Sequence, residues 1–440
     1  MLDLPLRIRH PLAWSNLRRG FPVLSAVLLG LVSACGGEGA PAGPRWQAHA
    51  LEAPALDPAG MPHLSPSGDG AVLSWWAPEG DAWVLRAAAW APEGGLGAVR
   101  DVTRGEDFFV NWADFPSVVP VAPGRWVAHW LARTGGESYA YGVRVSVSED
   151  AGASWSDPWT PHDDGSPTEH GFVSILPEAA TGEGAWSLAW LDGRRYAPGP
   201  HGEATDEMTL RARTVDAAGA PSPETVLDAR VCDCCQTDAA LTARGPVVAY
   251  RDRSPTEVRD VYLTRREGGV WTEGRAVHDD GWVIPGCPVN GPAVDAAGAD
   301  VVVAWFTGAQ DRPRVQVAFS TDAGDTFGAP VTVDQGRPVG RVDVVLRADG
   351  SALVAWLEQT DEGAEVRLRS VMPATAARPG AAPGAVPLPG PVTALARTTA
   401  ARSSGFPQLA PVAGGGVLAA WTEVREGAPS RVRLALLEES

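Results

Sequence analysis

The sequence predicts an all-β fold, a β-propeller of seven four-stranded blades, on three observations. A short apolar strand ending in an aromatic residue recurs seven times along the 440 residues. A further strand of alternating polarity follows several of the copies. Between them lie turn-forming stretches drawn from 50 Gly and 39 Pro, a composition that favours short strands over long helices.

The recurring strands are Val72–Trp75, Val127–Trp130, Ser187–Trp190, Val247–Tyr250, Val303–Trp305, Leu353–Trp356 and Leu418–Trp421, with aromatic residues 51 to 65 positions apart. A spacing of 50–60 residues is one blade of four antiparallel strands. The strands that follow, such as Val143–Val147, Thr209–Ala212, Val315–Ala318 and Arg431–Ala435, alternate polar and apolar side chains as half-buried strands do. The last repeat ends after its third strand, while residues 45–55 precede the first repeat with no partner of their own. They are expected to supply the missing outer strand and close the ring. The repeated aromatics are expected to pack between blades. A division into six blades is the alternative.

The N-terminus reads as a targeting segment. Arg18 and Arg19 precede an apolar run, Phe21 to Val32, too short to span a bilayer, which ends in Ser33-Ala34-Cys35. Small residues before a cysteine resemble the bacterial lipobox, which implies a signal peptide over 1–34 and lipidation at Cys35. A flexible tether over 35–44 then leads into the propeller at 45–440. The implied location is the cell envelope, at the outer membrane or periplasmic face, with membrane contact through the lipid alone.

The formal net charge is −17, and every one of the 36 basic residues is arginine. Residues 1–34 are net basic, so the remainder is more acidic still. Such a surface repels phosphate backbones, which argues against nucleic-acid binding.

Two turns share the pattern Ser-x-Asp-x-Gly-x-x-(Trp/Phe): Ser148 to Trp155 and Ser320 to Phe327. An Asp can accept backbone N–H groups within such a turn, and Gly permits a positive φ. These segments resemble the Asp boxes of sialidase-type propellers, where they are structural and lie opposite the active site. The resemblance implies the fold more than the chemistry. Sialidases use three arginines, the first in an Arg-Ile-Pro-like motif of the first blade, and a late tyrosine nucleophile. Here that first place reads Met61-Pro62-His63-Leu64, and no Tyr follows Tyr262.

Loops leading into the inner strands and loops leaving the second strands share one face of a propeller, and the unusual residues concentrate there. Asp114, Glu169, Asp252 and Asp343 are candidate acid/base carboxylates for glycoside cleavage, with His170 a further candidate. Asn111, Arg194, Arg251, Arg253, Asn290 and Arg341 are candidate ligand-binding residues. Inter-blade Arg–Asp ties are the competing role for the charged ones. Four cysteines lie on the same face. Aligning the repeats puts Cys234 and Cys287 at equivalent positions of adjacent blades, and Cys232 and Cys235 have C-x-x-C spacing. Two readings stay open. One is disulfides, with Cys234–Cys287 plus Cys232–Cys235 among three pairings. The other is a thiolate site for Zn or Cu(I), with His170 a further ligand. The sequence itself requires no cofactor. Expected partners are a glycan acted on or bound at this face, or a protein or peptide held by a non-catalytic scaffold.

Overall fold

The computed structural model describes residues 45–178, 183–197, 204–374 and 387–440. The expected signal peptide, Cys35 and the tether through residue 44 lie outside the described residues. Those described form seven antiparallel blades in a ring, so seven rather than six is the blade number.

Blade 1 runs Gly60–Ser67, Gly70–Glu79, Ala82–Ala91 and Arg100–Gly105 from the inside outward. Blade 2 has Ser117–Ala122, Arg125–Arg133 and Tyr141–Ser148, its outer edge reduced to a bridge between Val145 and Trp159. Blade 3 has His170–Pro177, Trp186–Asp192, Met208–Val215 and Thr225–Val231. Blade 4 has Asp238–Thr242, Gly245–Arg251 and Val261–Glu267, edged by Val270–Trp271 and Arg275–Ala276. Blade 5 has Ala293–Ala297, Asp300–Thr307, Arg314–Ser320 and Val331–Thr332. Blade 6 has Pro338–Leu346, Ala352–Thr360, Gly363–Met372 and Leu388–Thr398. Blade 7 has Gln408–Pro411, Val417–Arg425 and Ala428–Glu439, and its outer strand is Trp46–Leu51. Trp46 to Leu51 pair with Glu439 to Leu434, so the chain closes the ring as expected.

The core is divided into seven clusters, one per blade interface. Each recurring aromatic belongs to the cluster shared with the preceding blade. Trp75 packs with Leu418 and Leu434 of blade 7, Trp130 with Trp76 of blade 1, and Trp190 with Val143 of blade 2. Tyr250, Trp305, Trp356 and Trp421 continue the pattern around the ring. All seven are buried, which accounts for their recurrence by packing alone.

The two Ser-x-Asp-x-Gly turns are built alike. Ser148 Oγ accepts the Gly152 N–H, and Asp150 accepts the Ser154 N–H at 2.8 Å and its hydroxyl at 2.7 Å. Ser320, Asp322, Gly324 and Thr326 repeat these bonds. Gly152 and Gly324 hold φ of 82° and 86°, where a side chain would be strained. Both turns join a third strand to the outer edge, on the end of the ring away from the loops that lead into the inner strands.

Candidate functional site

The ring surrounds a channel cavity of about 360 Å³, lined by the inner strands and the loops leading into them. Strand register shows how it is furnished. In each blade one inner-strand residue pairs with the residue just before the recurring aromatic. In blade order these are His63, Ser117, Ser174, Asp238, Ala293, Asp343 and Gln408. Six of the seven are polar. Because strand side chains alternate, this layer leans toward the next blade while the aromatics face the previous one.

Several of these groups reach the neighbouring inner strand. Asp238 Oδ2 accepts the Val294 N–H at 2.7 Å, and Asp343 Oδ2 accepts the Leu409 N–H at 2.6 Å. One layer away, Asp295 Oδ2 accepts the Leu346 N–H at 2.8 Å. Asp114, in the loop leading into blade 2, accepts the Phe172 N–H at 2.7 Å. Innermost strands leave one row of backbone groups without a strand partner, and these carboxyls satisfy part of it.

Burial without a facing cation pushes the carboxyls up. Asp114 and Asp238 rise to about 7, Asp295 to about 6, and Asp343 well above its ordinary value, despite the N–H groups that work in the other direction. His63 is lowered to about 4 by desolvation, and His129 to about 3 by desolvation and by His63. His129 Nδ1 shares a 2.8 Å hydrogen bond with Ser117 Oγ. The mouth has an aromatic wall. Phe406 lies 5.7 Å from Phe115 and is stacked at 6.0 Å on half-buried Trp112, and His63 is 6.2 Å from Phe115. Among the described residues no arginine lines the cavity, and the sequence has no lysine.

The sequence candidates fall in several places. Asp114 and Asp343 line the channel. Glu169 joins Asp114 through Tyr141, whose hydroxyl sits 3.4 Å from Asp114 Oδ2 and also bonds Glu169. Burial, then the charges of Asp233 and Asp114, raise Glu169 to about 8. Asp252 stands apart with Asp228 and Asp260, raised to about 7 by burial and then by Asp228. Asn111 caps its own loop, accepting the Ala113 N–H at 2.8 Å.

His170 is wholly buried, stacked on His162 at 3.9 Å, with Nε2 3.1 Å from Asp164 and 3.6 Å from Asp192. Burial alone would lower it, but the two carboxylates leave its pKa raised. Arg194 clamps Asp192 with two bonds of 2.7 Å and reaches Glu224 at 2.8 Å. Arg253 pairs with Glu257 at 2.8 Å and Asp206 at 2.9 Å.

Arg251 is directed at backbone carbonyls, those of Asn290, Arg259 and Phe306, and lies over the Trp282 ring. Arg341 donates to the carbonyls of Ala401 and Gly405 and lies 4.5 Å over Trp112. Its own N–H donates to Asn290 Oδ1 at 2.7 Å. Burial, then Arg402, lower Arg341 to about 10. These arginines bind blade to blade.

Cys234 and Cys287 form a disulfide, and Cys232 and Cys235 are buried free thiols with Sγ atoms 2.8 Å apart. Among the described residues three groups converge closely enough to hold a metal: Cys232, Cys234 and Cys235; His162, Asp164 and His170; and Asp233, Cys234 and Cys287, the last two of these being disulfide-bonded. In the first, a thiolate site would need Cys234 released from Cys287. In the second, the two imidazoles are stacked within 8° of parallel and Arg194 already stands beside Asp164, so an ion in the plane of both rings is disfavoured.

Sequence reasoning passed over His63, His129, Asp238 and Asp295. A signal was present: an acid or imidazole inside an otherwise apolar inner or second strand, as in Val294-Asp295-Ala296 and Val127-Ala128-His129.

No protein-family profile matches the sequence, and no curated protein matches it either. Among solved structures, the chain is similar to a protein of unknown function from Dyadobacter fermentans, at 16% identity over 76% of this chain and 96% of that one, TM-score 0.46. It is similar to the intramolecular trans-sialidase of Ruminococcus gnavus, at 11% identity over 76% and 96%, TM-score 0.47. It is also similar to an α-L-arabinofuranosidase of Fusarium graminearum, at 11% identity over 73% and 92%, TM-score 0.45.

Proposed function

We propose that this is an exported propeller, lipid-anchored through Cys35, that takes the end of an uncharged glycan into its channel mouth. One observation carries the reading: among the described residues the cavity lining combines carboxyl, hydroxyl, imidazole and amide groups with Phe115, Phe172 and Phe406, and contains no arginine or lysine. Sugar rings offer apolar faces to aromatic walls and hydroxyls to paired donors and acceptors. A sugar carboxylate would meet Asp114, Asp238, Asp295 and Asp343 with nothing to neutralise it, which disfavours sialic acid despite the sialidase-like scaffold.

Asp114 is the group best suited to protonate a glycosidic oxygen. It lines the cavity, and a pKa near 7 keeps much of it protonated at neutral pH. Tyr141 ties it to Glu169, which supplies the second carboxyl of the cluster.

The test is calorimetry and product analysis on a panel of neutral and acidic oligosaccharides. Neutral sugars are expected to bind, with Asp114→Asn removing turnover and retaining binding. Tight binding confined to sialylated or uronic glycans, or to peptides, would overturn the reading.

A further inference from the structure

The four cysteines form a feature that glycan binding does not use. The segment Cys232-Asp233-Cys234-Cys235 leads into the inner strand of blade 4, and Cys287 lies on the corresponding loop of blade 5. The Cys234–Cys287 bond therefore links adjacent blades, with Cα atoms 6.0 Å apart. Its Cys287 end is exposed, whereas Cys232 and Cys235 are buried. The sulfurs form a chain inward: Cys232 Sγ lies 3.9 Å from Cys234 Sγ and 2.8 Å from Cys235 Sγ.

A thiol beside a disulfide sulfur is inert unless it ionises. Cys232 has the surroundings for that. Arg259 Nη1 is 3.4 Å from its Sγ, and Arg251 adds a second guanidinium nearby. Burial opposes the thiolate, but the Cys235 thiol, the Cys234 N–H and both arginines outweigh it and bring Cys232 down to about 7. Burial raises Cys235 well above its ordinary value. The pair is thus divided into an attacking thiol and a reserve thiol, and attack is fastest when the thiol pKa is near the ambient pH.

We propose that these four cysteines are an intramolecular thiol–disulfide exchange site that passes the exposed inter-blade bond inward. The Cys232 thiolate attacks Cys234 Sγ, forming Cys232–Cys234 and breaking the bond to Cys287, which leaves as a thiolate and takes a proton from water. Cys235 then loses its proton and attacks Cys232 Sγ, forming Cys232–Cys235, and Cys234 leaves and is protonated. One disulfide and two thiols exist before and after, so no oxidant or reductant is consumed. The result is a bond within one loop in place of one between blades, with the Cys287 thiol free at the surface. The loops stay in contact through the Gly291 N–H, which donates to Gln236 Oε1 at 2.9 Å.

The test uses the full chain held at one disulfide and two thiols. It is incubated at pH 7 to 8, quenched in acid, alkylated and mapped by non-reducing peptide mass spectrometry. Both Cys234–Cys287 and Cys232–Cys235 isomers are expected in the wild type. Cys235→Ser should stop at Cys232–Cys234 with Cys287 alkylated, and Arg259→Gln should slow exchange roughly tenfold at pH 7, less at pH 9. A wild-type map showing Cys234–Cys287 alone would overturn the proposal. So would tight Zn or Cu(I) uptake that protects Cys232 and Cys235 from alkylation, which would mark a metal site instead. The wild-type map decides the matter even if a variant fails to fold.

Discussion

The indole Nε1 of Trp46 donates a 2.8 Å hydrogen bond to Ser370 Oγ, across 324 positions of sequence. Trp46 begins the outer strand of blade 7 and Ser370 lies on the third strand of blade 6, so the strand that closes the ring is fastened to two blades. The indole is buried with Leu437 and Val366, and the Arg347 guanidinium lies 4.9 Å over it. Trp46→Ala is expected to cost about 3–5 kcal/mol in denaturant unfolding, and Trp46→Phe, which keeps most of the packing, about 1 kcal/mol. A loss under 1 kcal/mol for the alanine variant would mean that the ring closes without this contact.

Stability should fall as pH rises from about 4 to about 7. Unfolded carboxyls lose their protons near pH 4, whereas folded Asp114, Asp238 and Asp295 keep theirs until about 7, 7 and 6. In that window the folded state binds more protons, so their stabilisation is present at the acid end and lost on raising the pH. Asp343, Glu169 and Asp252 act in the same sense. His63 and His129 oppose them, since unfolded imidazoles take a proton near 6.5 that the folded ones refuse until about 4 and 3. The carboxyls outnumber them. The midpoint of thermal unfolding is expected to be higher at pH 5 than at pH 7.5, with Asp238→Asn reducing the difference. A midpoint that climbs over this range would contradict the carboxyl assignments.

The ring was legible because its determinants are local and repeated. An aromatic at one place in every repeat needs only its own strand and the preceding blade, and the unpaired segment at 45–55 could go only to the incomplete last blade. The equivalence of Cys234 and Cys287 followed from the same alignment. The destinations of the polar groups were not legible. Apart from the bond from Arg251 to the Arg259 carbonyl, Arg251 and Arg341 end on carbonyls 39 to 64 residues away, and nothing local distinguishes them from arginines free to hold a ligand. Asp238 and Asp295 were missed for the converse reason: they lie inside strands, while attention to loops favoured Asp252.

Gly171 offers a test of Asp114 that leaves its carboxyl in place. A Cβ at 171 would run into Asp114 Oδ2 and press on Tyr141, although the Gly171 backbone itself suits any residue. Gly171→Ala is expected to retain the fold at a cost of about 1–3 kcal/mol and to lower glycan turnover about as far as Asp114→Asn. Gly136→Ala, with nothing within 4 Å of the added carbon, is the matched control and should leave both unchanged. Full turnover in Gly171→Ala would remove Asp114 from the reacting group.

Arg341 and Trp112 should set the shape of the aromatic wall together. The guanidinium is buried, holds the carbonyls of Ala401 and Gly405, and carries Trp112 on its face, with Phe406 stacked beyond. A lysine brings the same charge but neither the fork that meets several carbonyls nor the plane that stacks on indole. Arg341→Lys is therefore expected to destabilise the chain by about 1–3 kcal/mol, through carbonyls left without donors. It should also weaken neutral-glycan binding several-fold while leaving the pH dependence of turnover unmoved, because Arg341 acts on the wall and not on Asp114. A shifted pH profile would place Arg341 in electrostatic contact with the acid, and unchanged affinity would separate the wall from the ligand.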